Sequence, residues 1–347
     1  MKKIIISSVT CILFYSLQAQ TIEGTVYDHK TRETIPGAVV YLYGTTLVTT
    51  SDRDGKFSLE VGRVINTTLE FSHLSYEPLS IEKPFEHKEK AFYLKEKVST
   101  LSEARVVADR YSREEKIRVF KEEFLGKSIA GKSCLILNED DIVLDYDDET
   151  NTFSGYSINP IVIENNYLAY RVTFDLHIFT IRFSQNTLEI NKAESVLFKG
   201  SSFFIDQSPY NIMFAKRRKE IYLRSSQYFW KNLVAHTLEK AECRIFNRFK
   251  YVNSYQYFAI TDAPSQKVVM VMPDTDLNRK HNSVDKGSIY GVIGIVSNKR
   301  FRSEAVFLTN RLSVDEFGNI SAIDKVIYFG DMGEQRLGEM LPMDYTI

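Results

Sequence analysis

The sequence predicts a mainly β protein with a few helices, of the α+β class: a small N-terminal β-sandwich followed by a larger antiparallel β-rich domain with two main helices. Three observations carry this reading. Between residues 21 and 110, short apolar runs rich in Val, Thr, Tyr and Phe alternate with turn residues. Two stretches, near 113–125 and 217–241, instead repeat apolar residues at helical spacing. The rest of the chain returns to short alternating runs, and 347 residues is more than one ordinary domain and comfortable for two cores.

The first nineteen residues read as a secretory signal peptide. Lys2 and Lys3 precede an apolar run from Ile4 to Leu17, and small and polar residues follow up to Ala19, so cleavage is expected after Ala19 or Gln20. The run is shorter than the roughly 20 residues that span a bilayer. Cys11 lies inside it without the small residue that precedes a lipidated cysteine. The expected address is therefore the periplasm or an association with the outer membrane. Charges balance, 44 basic against 45 acidic, and no global field points to nucleic acid. Cys134 and Cys243 remain after export; an oxidising compartment permits one disulfide between them without requiring it. No cysteine or histidine spacing suggests a thiolate metal site.

Residues 20–96 form the expected sandwich. "TIEGTVYD", "GAVVYLYG", "GKFSLEV", "TTLEFSHLSY" and "KAFYLKE" each read as a strand, with Pro36-Gly37 and Asp54-Gly55 at turns. In "SDRDGKFSL", Asp52 and Asp54 stand two apart before Gly55. A hairpin turn explains them, since the bidentate Glu of a calcium loop is missing at the required spacing. These strands carry their own alternating core, so residues 21–95 are expected to fold alone.

The order and spacing of Gly24, Val26, Thr31, Pro36, Gly37, Ala38, Val40, Asp52, Gly55 and Phe57 resemble the carboxypeptidase regulatory-like domain over about a quarter of the chain. The resemblance implies a transthyretin-like or immunoglobulin-like sandwich, a Thr-Asp-x-x-Gly-x-Phe hairpin and no peptidase activity. Ser75, in "SHLSYEP", stands where the family usually has a glycine near the tyrosine. "LSEARVVADR", in the expected linker or edge strand 97–111, looks like the segment before the plug of TonB-dependent receptors. The 237 residues after Arg110 are too few for their pore, whose 22 strands alone need roughly 220.

Residues 112–347 open with "YSREEKIRVFKEEFLGKS". Ser112 and Glu115 form a capping box, Ile117, Phe120 and Phe124 share a face, and Gly126 is a stop. Asp145, Asp147, Asp148 and Glu149 lie before "TN" in an expected hairpin turn. In "NYLAYRVTFDLHI", Leu168, Tyr170, Val172, Phe174, Leu176 and Ile178 share one face; the apolar set then moves to Phe179, Ile181 and Phe183, which implies a bulge. In "AKRRKEIYLRSSQYFWKNLVAHTLEKAE", one long helix is expected, with Lys216 to Lys219 as a solvated basic end. His236 and Glu239 would share a face of it, but a zinc site lacks a third ligand, His281 having no diagnostic spacing. The glycines of "YGVIGIV" do not make a dinucleotide site, and no G-x-S-x-G or phosphate loop occurs.

Through "FKEEFLG", "YDDETN", "LFKGSSFF", "RRKEIY...YFWKNL" and "GEQRLGEMLPMDY", this region resembles exported bacterial proteins that carry the same front domain and have no established activity. No catalytic, cofactor-binding or metal residue is assigned. The expected function is that of a non-catalytic envelope protein that binds an envelope protein or a glycan or peptide ligand, in support of TonB-dependent uptake. A peptide or glycan hydrolase with a site in the larger domain is the alternative. A small outer-membrane barrel is disfavoured by the helices and charged strand faces.

Overall fold

The computed structural model describes residues 20–97, 110–247, 250–272 and 289–347. The expected signal peptide, most of the 97–111 segment and His281 lie outside the described residues.

The N-terminal region is a β-sandwich of seven strands: β1 (Gln20–Asp28), β2 (Val39–Leu42), β3 (Val48–Thr50), β4 (Lys56–Val61), β5 (Leu69–His73), β6 (Tyr76–Ile81) and β7 (Ala91–Leu94). One sheet has the order β4-β1-β7, with β1 and β7 parallel, and the other β3-β2-β5-β6. Alternation explains the packing: in β4, Phe57, Leu59 and Val61 point inward and Lys56, Ser58 and Glu60 outward. Phe57, Phe71 and Phe92 meet ring to ring at the centre. The expected hairpin at Asp52 to Gly55 is instead a corner, because β3 and β4 belong to different sheets. At Ser75 the missing glycine is not needed. Neither Leu74 nor Ser75 enters the positive-φ region, and a register shift between Phe71 and His73 absorbs the bend.

The next region begins with α1 (Arg113–Phe124), whose Ser112/Glu115 capping box is formed, and the one-turn α2 (Ile129–Lys132). It continues through β8 (Cys134–Ile136), β9 (Ile142–Asp147), β10 (Thr152–Ser157), β11 (Ile161–Asn165), β12 (Tyr170–Phe183) and β13 (Ala193–Asp206). The antiparallel sheet runs β8-β11-β12-β10-β9, with β13 on the other side of β12. Register shifts between Leu176 and Ile178, where the parity of the apolar set changes. His177 is the extra residue. Ile178 therefore faces outward, 47% exposed, rather than sharing the face of Leu176. The sheet curls over α1, with Phe120 against Phe179 and Phe124 against Phe174 and Phe198.

The expected single helix near 217–241 is two: α3 (Ile212–Tyr222) and α4 (Ser226–Val234). Ser225 breaks it, its side chain accepting from Tyr228 N as a second N-cap. The last strands are β14 (Arg244–Asn247), β15 (Lys250–Val252), β16 (Phe258–Ala263), β17 (Gln266–Val271), β18 (Gly291–Ser297), β19 (Phe301–Phe307), β20 (Arg311–Val314) and β21 (Val326–Gly330). They form antiparallel sheets β15-β14-β18-β19-β21 and β16-β17-β20 around Phe229, Trp230 and Leu233 of α4. Residues 112–347 thus bury two apolar clusters, one around α1 and one around α4.

Contacts far apart in sequence join these regions. Gly44 N donates to Ser202 O and Phe204 N to Thr45 O, so the β2–β3 turn of the sandwich caps the edge of β13. Phe317 enters the sandwich core, and Met343 packs against it. Asp315, 1% exposed, accepts from Asn66 N of the sandwich and from Phe317 N, Asn319 N and Asn319 Nδ2 of its own loop. Gly318 permits this loop, with φ at +96°; a Cβ there would meet Gln227 O at 2.1 Å.

Candidate functional site

A cleft of about 640 Å³ opens where the β2–β3 turn, the end of β13, α3 and the C-terminal segment meet. Its floor is a charge pair between a buried arginine and a half-buried aspartate. Arg218, 4% exposed, holds Asp206 through two hydrogen bonds of 2.6 and 2.7 Å and donates to the carbonyls of Leu168 and Ala169. Its guanidinium lies 3.9 Å from the centroid of the Tyr170 ring. The planar fork suits this set of acceptors as an ammonium would not. Arg218 therefore departs from the expected solvated basic end. The signal was available in sequence, since Phe214, Arg218, Ile221 and Tyr222 follow one helical stripe and only Arg218 among them is charged.

The opposite wall is the C-terminal segment. Asp344 accepts from Thr46 N at 3.0 Å and from the Thr46 hydroxyl. Met343 N donates to Gly44 O, and Gln227 and Asn319 donate to Met343 O. Burial pushes the Tyr170 and Tyr345 phenols up, opposed in both by the Arg218 charge. Both rings stay neutral near pH 7. Both aspartates of the cleft thus have partners, whereas the exposed Lys216 and Lys219 at its mouth make no ion pair among the described residues. Pro209, Ile212, Ala215 and Pro342 supply apolar wall. A smaller groove between α1 and residues 187–190 is lined by Glu115 and Glu122, which serve the helix cap and an Arg118 ion pair.

The other residues singled out in the sequence lie elsewhere. Asp52 Oδ1 accepts from Asp54 N and Lys56 N, at 2.9 and 2.8 Å, and Gly55 has φ of +72°. Asp147 accepts from Glu149 N, Thr150 N and Thr150 Oγ1, forming the β9–β10 turn. Asp148 accepts from Asn186, and Asp145 lies on the exposed side of β9. His236 and Glu239 do not share a helical face: α4 ends at Val234 and His236 takes φ of +57°, stacking on Tyr255. Cys134 and Cys243 are free thiols. Burial pushes Cys134 up to about 12 and raises Cys243 as well, which makes both poor nucleophiles. Among the described residues, no three His, Cys, Asp or Glu side chains converge to hold a metal.

Residues 22–107, about a quarter of the chain, match the model of the CarboxypepD_reg-like domain family. No curated protein matches the chain.

Proposed function

We propose that this chain is an exported, non-catalytic binding protein of the cell envelope, acting in the periplasm or at the outer membrane in support of TonB-dependent uptake, and that the junction cleft holds its ligand. The observation that carries this reading is the imbalance of commitments in the cleft. Its two aspartates already bridge elements of the fold, while two lysines one turn apart remain open to an anion. Proline and aliphatic walls beside these lysines fit an acidic peptide. Neutral tyrosines add hydroxyl donors for its carbonyl or carboxylate oxygens.

Thermal unfolding of the full chain with a set of short acidic peptides tests the ligand class. Binding to the folded state raises the melting temperature, by an amount that grows with ligand concentration. An acidic peptide should produce the rise, neutral peptides should not, and Lys216→Ala with Lys219→Ala should abolish it. The reading fails if no acidic peptide shifts the parent, if the double variant responds equally, or if only acidic oligosaccharides shift it. Export is checked separately by N-terminal sequencing of the protein from fractionated cells. A chain starting after Ala19 or Gln20 is expected, and an intact Met1 would refute the compartment.

A further inference from the structure

The loop before α3 and its first turn hold the most exposed large apolar side chains of the described residues: Tyr210 is 96% exposed and Ile212 86%, with Met213 at 51%. Three exposed apolar side chains thus fall within four residues. Isolated exposed apolar residues need no explanation, but a contiguous set marks a surface that meets something.

This prow is braced. Asn211 Oδ1 accepts from Met213 N and caps α3. Ser208 N donates to Asp206 Oδ1, and Asp206 is itself gripped by the buried Arg218. Exposure here is therefore built into the fold.

The charge next to the prow is one-sided. From Gln207 to Lys219 the chain carries four cations and no carboxylate. Arg218 is spent on Asp206; Arg217 donates to Tyr167 O and stacks on the Tyr167 ring, 4.5 Å from its centroid. Lys216 and Lys219 project outward. The nearest carboxylates in sequence, Asp206 and Glu220, face Arg218 and Arg300 respectively. At 1.5 Å per residue, Lys216 and Lys219 stand about 6 and 10 Å along the helix axis from Ile212. Segments that lie in a membrane interface bury apolar groups about 5–10 Å deep, at the boundary of headgroups and acyl chains. The segment thus presents, in chain order, an amphipathic tyrosine just before the helix, two apolar residues in its first turn and then two cations, so an apolar end is followed by a cationic one as the acyl boundary of a bilayer is by its phosphates.

We propose that the α3 prow docks this protein on an anionic lipid surface, with Tyr210, Ile212 and Met213 entering the headgroup boundary and Lys216 and Lys219 meeting lipid phosphates. A convex tip with a cationic collar matches this layered polarity better than the flat patch of about 800 Å² per partner that a stable protein interface needs. Two copies meeting at this tip would also bring like charges together. No helix among the described residues is long and apolar enough to cross a membrane. Docking on the surface takes from the envelope reading only the exported compartment, and it turns the mouth of the cleft toward the bilayer, because Ile212, Lys216 and Lys219 line that mouth.

Flotation of the full chain with vesicles tests this, using phosphatidylcholine alone and phosphatidylcholine mixed with phosphatidylglycerol. The parent should float with the mixed vesicles and lose binding in high salt. Tyr210→Ser with Met213→Ser, which changes no residue lining the cleft, should weaken flotation about tenfold and leave the response to acidic peptides unchanged. Lys216→Glu with Lys219→Glu should remove the preference for the anionic vesicles, each lysine contributing about fivefold. The proposal is overturned if the parent does not float, if it floats equally with both vesicle types, or if the Tyr210/Met213 variant floats like the parent. Light scattering in which that variant alone turns a dimer into a monomer, with no flotation of the parent, would make the prow an interface between copies and equally end the lipid proposal. Because the assay uses purified chain, its failure leaves export and peptide binding standing, and either of those can fail while flotation holds.

Discussion

Two aspartates, at the sandwich corner and at the junction beneath it, show one chemical group in two uses. Asp52 accepts from backbone N–H groups two and four residues on, in the open. Asp315 accepts from its own loop and also from Asn66, 249 residues away, with almost no contact with water. Burial pushes its carboxyl above the ordinary range, opposed by the hydrogen bonds it accepts. The first shapes a turn that neighbouring residues already favour. The second holds together surfaces that nothing local would bring into register. A carboxylate near a glycine is thus a weak sign of ligand chemistry in this chain, and its sequence distance to its partners is the better guide to its cost.

The sharpest way to break that contrast is Asp315→Ala. It strands four donors, three of them in buried bonds, and unsatisfied buried groups cost about 1–3 kcal/mol each before relaxation and hydration reduce the sum. A loss of about 4 kcal/mol by denaturant unfolding of the full chain is expected, with the sandwich becoming more susceptible to proteolysis. A loss under about 1 kcal/mol would place Asp315 with the turn carboxylates.

A smaller effect is expected at the corner, and it should come from the glycine. Gly55→Val forces a β-branched residue to φ of +72°, where its Cβ would lie 2.7 Å from Val26 O. This costs about 1–3 kcal/mol or more. Asp54→Asn should fall within about 0.5 kcal/mol of the parent, since the side-chain acceptor of the turn is Asp52. If Asp54→Asn costs more than Gly55→Val, or if calcium raises the melting temperature of the parent and not of that variant, the corner is a metal loop.

What could be read from the sequence follows the same division. The α1 capping box, the turns at Asp52 and Asp147 and a bulge in β12 depend on residues within a few positions and were legible, although the bulge falls at His177 rather than after Ile178 and the Asp52 turn joins two sheets rather than closing a hairpin. The break between α3 and α4 was legible in principle, because Ser225 is a good N-cap, but the helical spacing of Tyr222, Phe229 and Leu233 across it concealed the break. The cleft was not legible. It needs Thr46, Asp206, α3 and Asp344 in one place, and no periodicity links residues 298 apart. Phe317 shows the same limit: it sits in a loop of the larger region and belongs to the sandwich core, so the autonomy of residues 21–95 could not be judged from their own alternation.

The smallest expected effect lies between the two uses, in a pair that is local in sequence and placed at the junction. His177, the extra residue of the β12 bulge, has Nε2 3.7 Å from Asp175 Oδ2, an ion-pair distance. Asp175 raises the imidazole above its ordinary 6.5, partial burial opposes this, and Glu70 of the sandwich adds to the rise while Lys199 works against it. The sign follows from proton linkage. A pKa raised on folding gives stabilisation that is fully present below the unfolded value and lost as pH rises through the folded one. The melting temperature should therefore carry a small downward component as pH increases from about 6 to 8, which His177→Gln removes. Because the side chain is 44% exposed, solvent screens most of the interaction and the component should be minor. The direct measurement is the His177 titration followed by NMR in the full chain and in Asp175→Asn. The parent should titrate above 6.5 and the variant lower. A parent value at or below 6.5 would show that burial outweighs the carboxylates at this junction.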